Sequence, residues 1–171
     1  MAFTFLVENG TGLSGATSYV SVSDANDIIA VNIHANISWD ALADDDKEKF
    51  LSWASRYLDT QTRWFGYKKV QTSALRWPRS GVVDRDGFLL SDTTIPSQLK
   101  IATAEMARYM ISEDRTTERD QDALKRIKAD VIEIEFSEGY RLPAVPSHLQ
   151  YLLNGLGAIA SGNIRFVRII R

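Results

Sequence analysis

The chain has 171 residues, 44% hydrophobic and 25% charged, with a formal net charge of −2 and no cysteine. That balance fits one globular domain with an ordinary core, and it excludes wholesale disorder, a disulfide framework and a thiolate metal site. No apolar run approaches the ~20 residues of a membrane helix, and MAFTFLVENG has no basic stretch before its apolar residues, so neither a membrane contact nor a signal peptide is expected.

In chain order, residues 3–7 form a short β-prone run that ends at Glu8-Asn9-Gly10. The stretch GTGLSGATS reads as a loop, and Tyr19-Val20-Ser21-Val22 alternates like a strand. Ser21 and Asp24 have the spacing of a capping box, which predicts a helix to about Val31. A second helix is predicted from Asp44, with Asp44, Asp45 and Asp46 at its positive end. Phe50, Trp53, Ala54, Tyr57, Leu58 and Gln61 supply its amphipathic stripe. Trp53, Tyr57 and Trp64 fall near one helical face and are expected in the core, with Trp64 and Phe65 closing the helix.

A third helix should follow Ile95-Pro96 and bury Leu99, Ala102, Met106, Tyr109 and Met110. Residues 113–128 are highly charged and read as a solvated helix or a mobile segment. Residues 132–136 alternate as a strand. Pro143 and Pro146 bracket a turn before a last short helix that ends near Asn154-Gly155. The fold expected is mainly α, a small bundle of about four helices with a minor β element, a long hairpin-like arm and an extended tail. The predicted division of this single domain is an N-terminal strand and loop (1–22), a helical core (23–112) with an arm (77–95), a strand and last helix (113–162), and a tail (163–171).

Charge is unevenly spread. Residues 1–50 hold eight acidic and two basic side chains, whereas residues 51–90 hold seven basic and three acidic ones. Blocks of this kind suit head-to-tail contact between copies, and they equally suit solvated faces.

Most tempting motifs fail on chemistry. Gly10, Gly12 and Gly15 spell G-x-G-x-x-G, but β-prone ATSYVSVS follows where a dinucleotide site needs a helix N-terminus. Asp84-Arg85-Asp86-Gly87 lacks the remaining ligands of a calcium loop, and between Val82-Val83 and Phe88-Leu89-Leu90 it signals a hairpin turn. His34 and His148 are the only imidazoles, and no triad, elbow or paired-carboxylate motif accompanies them, so neither catalysis nor a cofactor is expected. A cationic, aromatic stretch remains, with Arg63, Lys68, Lys69, Arg76 and Arg79 among Trp64, Phe65, Tyr67 and Trp77. These are the ingredients of a single-strand nucleic-acid binder, with Arg63, Lys68, Lys69 and Arg76 as the candidate DNA-facing cations. The same rings suit a core, and the acidic balance opposes a dedicated binder.

The segment VENGTGLSGATSYVSVSDAND resembles the opening of a family of tailed-phage and prophage proteins labelled "DnaT-like single-stranded-DNA-binding protein". Tyr57-Leu58-Asp59, Trp64, LRWPRSG (75–81), DRDG (84–87) and Ile95-Pro96 extend the likeness in order over residues 7–112. The resemblance implies a head–tail connector, or adaptor, forming a ring between the portal protein and a tail-side stopper or tail-completion protein. It implies packaged DNA in the channel, a twelve-membered ring, and a place in the neck of a virion assembled in the host cytoplasm. Within that reading the arm residues Trp77, Pro78, Arg79, Gly81, Asp84, Arg85, Asp86, Gly87 and Phe88 contact the next subunit. Arg76, Arg79 and Arg85 would then meet Asp44, Asp45 and Asp46 of that neighbour. Ile164, Arg165, Phe166, Val167, Arg168, Ile169, Ile170 and Arg171 form a portal-binding tail, or complete a sheet with residues 131–136. The alternative is a single-stranded-DNA-binding, primosome-like replication protein.

Overall fold

A computed structural model describes residues 3–34, 36–112, 114, 126–129, 132–135 and 143–159. Helix α1 (Val22–Ala30) starts where the capping pattern places it, because Ser21 Oγ accepts a hydrogen bond from Asp24 N at 3.0 Å. The preceding Tyr19–Val20 pair is fully buried but forms no strand. Tyr19 N donates to Ser55 Oγ and Val20 N to Ser18 Oγ, so side chains have taken the donors that a strand partner would need. The strand expected from residues 3–7 is likewise reduced to one bridge, Val7 to Ser18.

A short α2 (Asn36–Asp40), not foreseen in the sequence, seats Trp39 in the core, with its indole N–H donating to Asn26 Oδ1 at 2.8 Å. The long α3 (Asp44–Gln61) begins on its three aspartates as expected. Its buried face runs through Leu51, Ala54, Ser55 and Leu58, which moves the stripe away from Trp53, left 47% exposed on the flank. The chain passes directly into β1 (Thr62–Trp64), whose pattern buries Thr62 and Trp64 and turns Arg63 outward. Trp64 therefore enters the core from a strand, and Phe65 does not enter it at all.

After two two-residue strands, β2 (Tyr67–Lys68) and β3 (Arg79–Ser80), comes the central α4 (Ser97–Ser112). It packs against all four other described helices and buries six consecutive residues, 102–107. Ala102, Ala104 and Ala107 keep it slim enough for that position, while Leu99 and Met106 fill the space between its neighbours. Each such large side chain contributes roughly 1.5–3 kcal/mol on burial. Tyr109 sits at the edge, its ring 5.4 Å from that of His148.

Strands β4 (Arg126–Ala129) and β5 (Ile132–Glu135) form an antiparallel hairpin with Ile127 opposite Ile134. The strand predicted over 132–136 thus finds its partner in a segment read as helical or mobile. Helix α5 (Ser147–Leu153) follows Pro146, and β6 (Gly157–Ile159) returns to pair antiparallel with β1. The fold is mainly helical with small antiparallel strand pairs, and among the described residues no helix is long and apolar enough to cross a membrane. Residues 164–171, the expected tail, lie outside the described residues.

The glycine-rich loop curls around one buried carboxylate. Glu8 accepts from Gly10 N, Gly12 N and Leu13 N at 2.8–2.9 Å, so the amides a phosphate would use are already occupied. Gly10 holds φ +95°, and a Cβ there would fall 1.9 Å from the Thr93 carbonyl oxygen. Gly87 holds a similar φ of +89° with nothing within 4 Å. Urea unfolding should therefore separate the two positions. Gly87→Ala is expected to lose about 1 kcal/mol from conformation alone, and Gly10→Ala at least about 3 kcal/mol because backbone must also move.

Candidate functional site

The base of the arm is built around Asp59, in the last turn of α3. Its Oδ1 accepts from the Tyr19 hydroxyl at 2.6 Å and from the Trp64 indole N–H at 2.9 Å, and its Oδ2 accepts from Arg76 N at 3.0 Å. The Tyr19 oxygen accepts in turn from Arg76 N and Trp77 N. Trp77, fully buried, meets Trp64 edge-on at 6.0 Å between ring centroids and 86° between planes. The Trp77–Pro78 peptide bond is cis. Burial pushes the Asp59 carboxyl above its ordinary value, against the Tyr19, Arg76 and Trp64 hydrogen bonds that pull it down. Burial, and then the neighbouring Asp59 charge, raises the Tyr19 hydroxyl well above its own.

From Pro78 the arm is fixed by backbone pairing. Tyr67 opposes Ser80 and Lys68 opposes Arg79, with Lys69 N donating to Pro78 O at 3.1 Å. The Arg79 guanidinium turns inward and donates to the carbonyls of Phe65, Gly66 and Arg76. Burial lowers its pKa from the ordinary arginine value. The return leg is clamped at Asp92, which accepts from Ser80 Oγ at 2.8 Å and Lys69 Nζ at 3.2 Å; those two bonds lower its pKa.

Between these clamps lies a tight hairpin. Val82 is buried, Val83 bridges Leu89, and Leu90 N donates to Val82 O at 2.9 Å. One Asp84 oxygen accepts from Asp86 N and Phe88 N, which closes the turn that Gly87 permits. The tip leaves Phe88 and Leu89 each 72% exposed. Its backbone rests against Gly155 at the end of α5, where an added Cβ would meet Arg85 at 3.1–3.3 Å. An open cleft of about 380 Å³ lies between Asp84–Asp86, Gln98, Tyr151, Leu152 and residues 154–156.

The sequence-predicted positions thus separate by role. Trp77 and Pro78 are buried at the arm base, and Asp84 to Phe88 form the hairpin turn. Gly81 (φ +73°) lets the Tyr67 ring approach. Arg79 is not available to a neighbour's aspartates, since its donors serve its own chain. Asp44 and Asp46 are similarly engaged, with Lys47 and Lys49. Of the four candidate DNA-facing cations, Lys68 Nζ donates to Ser73 O and Lys69 pairs with Asp92. Arg63 and Arg76 stay exposed. Trp64 and Trp77 are core rings, whereas Phe65 and Tyr67 lie on the surface. The sequence reading missed Asp59 as the organiser. Its signal was an acid in a helix's last turn, where the helix dipole disfavours negative charge.

The family model described as "Putative DnaT-like ssDNA binding protein" matches residues 3–171. No curated protein and no solved structure matches the chain.

Two measurements test the Asp59 hub. Asp59→Ala leaves the Tyr19 hydroxyl and the Trp64 N–H without an acceptor and removes one of the two acceptors of the Arg76 N–H, and is expected to cost about 3 kcal/mol in urea unfolding. The pH dependence has a definite sign. With its folded pKa raised, Asp59 holds a proton in the folded chain that the unfolded chain has already released. Its contribution is therefore greatest below the unfolded value and falls as pH rises through the folded one. Asp59→Asn should remove that fall from the acid-side stability profile.

Proposed function

The chain belongs to the DnaT-like ssDNA binding protein family, and from that premise we propose that it is a structural head–tail adaptor of a tailed phage. In this reading, copies form a ring in the virion neck between the portal and the tail-side stopper, around the DNA channel. Its work is assembly, with no chemical step. The observation that carries the reading is the hairpin: two large apolar side chains, Phe88 and Leu89, held out from a turn whose backbone is clamped on both legs. A rigid element that presents apolar surface at no further ordering cost favours a protein partner. The resemblance of WPRSG and DRDG to connector proteins points to the same class of partner.

The family description supports a second reading, binding of single-stranded DNA. The exposed Phe65 and Tyr67 rings beside Arg63 are the surface that favours it. Against it stand the burial of Trp64 and Trp77 and the internal use of Lys68, Lys69 and Arg79.

Mixing the protein with purified portal and imaging by negative-stain electron microscopy tests the first reading. Added ring density on the portal is expected, and its loss with Phe88→Asp while the melting temperature holds. Absence of any complex would overturn the adaptor assignment. Fluorescence anisotropy with a labelled oligonucleotide tests the second. Binding that weakens steeply with salt and is lost in Tyr67→Ala and Arg63→Glu would establish DNA as the ligand.

A further inference from the structure

Among the described residues, the five most exposed large apolar side chains fall in two places. Phe88 and Leu89 form the hairpin tip; Val31, Ile33 and Ile37 stand 82%, 78% and 81% exposed at the corner between α1 and α2. Local hydrogen bonds brace the described residues of that corner. Asn32 N donates to Ile29 O at 2.9 Å and His34 N to Asn32 Oδ1, while buried Trp39, tied to Asn26, fixes α2 so that Ile37 faces out. Neither patch covers the other within one copy, since both remain exposed. Among the described residues, exposed charges also divide in large part. Asp27, Asp40 and Asp45 flank the corner along the chain, Arg63, Arg76 and Arg85 belong to the arm and its base, and Arg56 lies apart on α3. Asp86 is the acid that departs from this division at the tip; the Asp84 carboxylate is occupied by the turn.

We propose that the hairpin tip of one copy docks on the α1–α2 corner of a second copy, with Phe88 and Leu89 against Val31, Ile33 and Ile37. The contact is heterologous, one surface of each copy meeting a different surface of the next, and such contacts propagate into a ring when the rotation closes. The hairpin half is preorganised by its turn hydrogen bonds, so association spends little on ordering that side. Arginines of the arm face aspartates of the corner, which favours this pairing over tip-to-tip contact. The proposal rests on the adaptor reading and names the surface that receives the arm.

The absence of cysteine makes the test direct. Phe88→Cys and Ile33→Cys proteins carrying different tags are mixed, with portal and without it at high concentration, and treated with a short bis-maleimide. The mixed product is expected to exceed both same-variant products about tenfold, the ratio that ~1.4 kcal/mol of preference gives. Equal yields, a dominant Phe88→Cys homodimer, or no product in either condition would overturn the contact. Unmodified protein retained on the portal while no mixed product forms overturns the contact and leaves the adaptor reading standing. Mixed product without portal retention supports the contact and removes the adaptor reading.

Discussion

One carboxylate holds the arm to the body. Asp59 takes hydrogen bonds from the segment after the glycine loop through Tyr19, from β1 through Trp64, and from the arm through the Arg76 amide. A buried carboxylate is costly unless its lone pairs are met, and here three hydrogen bonds meet them. Three donors from three separate parts of the chain must therefore converge, and a displacement of any one would leave charge and polar groups unmatched. That requirement places Trp64 against Trp77 at the base of the arm. The β2–β3 pairing, the Arg79 cap and the Asp92 clamp continue from that base.

Charge in this chain reads differently once its contacts are known. In sequence, residues 63–79 look like a cationic, aromatic strip built for nucleic acid. In the fold, the indoles are core, Arg79 braces carbonyls, and two lysines are tied down locally. What reaches solvent instead is a rigid apolar hairpin and an apolar helical corner. This exchange of roles is the ground on which a protein contact is proposed for the surface.

Much of the framework was legible beforehand because local chemistry specified it. Ser21 capping α1, the aspartates opening α3, Pro96 before α4 and Asp86-Gly87 in a hairpin turn all act through neighbours a few residues away. Errors fell where distant groups intervened. Tyr19 and Val20 alternate like a strand, but Ser55 and Ser18 side chains claim their amides. Trp53 fits a helical stripe on spacing alone, yet the buried face passes through Leu51, Ala54 and Leu58, and the largest ring is left outside. Helix α2 is only five residues long and depends on Trp39 finding Asn26, which no periodicity announces.

By itself the sequence determined the starts of α1, α3 and α4, the turn of the hairpin and the family likeness carried by its WPRSG and DRDG segments, since each depends on short-range backbone preference or on a contiguous motif. Only the tertiary structure decided which charges and rings are spent inside the molecule and which are offered outside it. Burial and hydrogen-bond partners are properties of residues far apart in the chain, as Tyr19, Asp59 and Arg76 are, and composition cannot reveal whether a cation meets a carbonyl of its own chain or remains free for another.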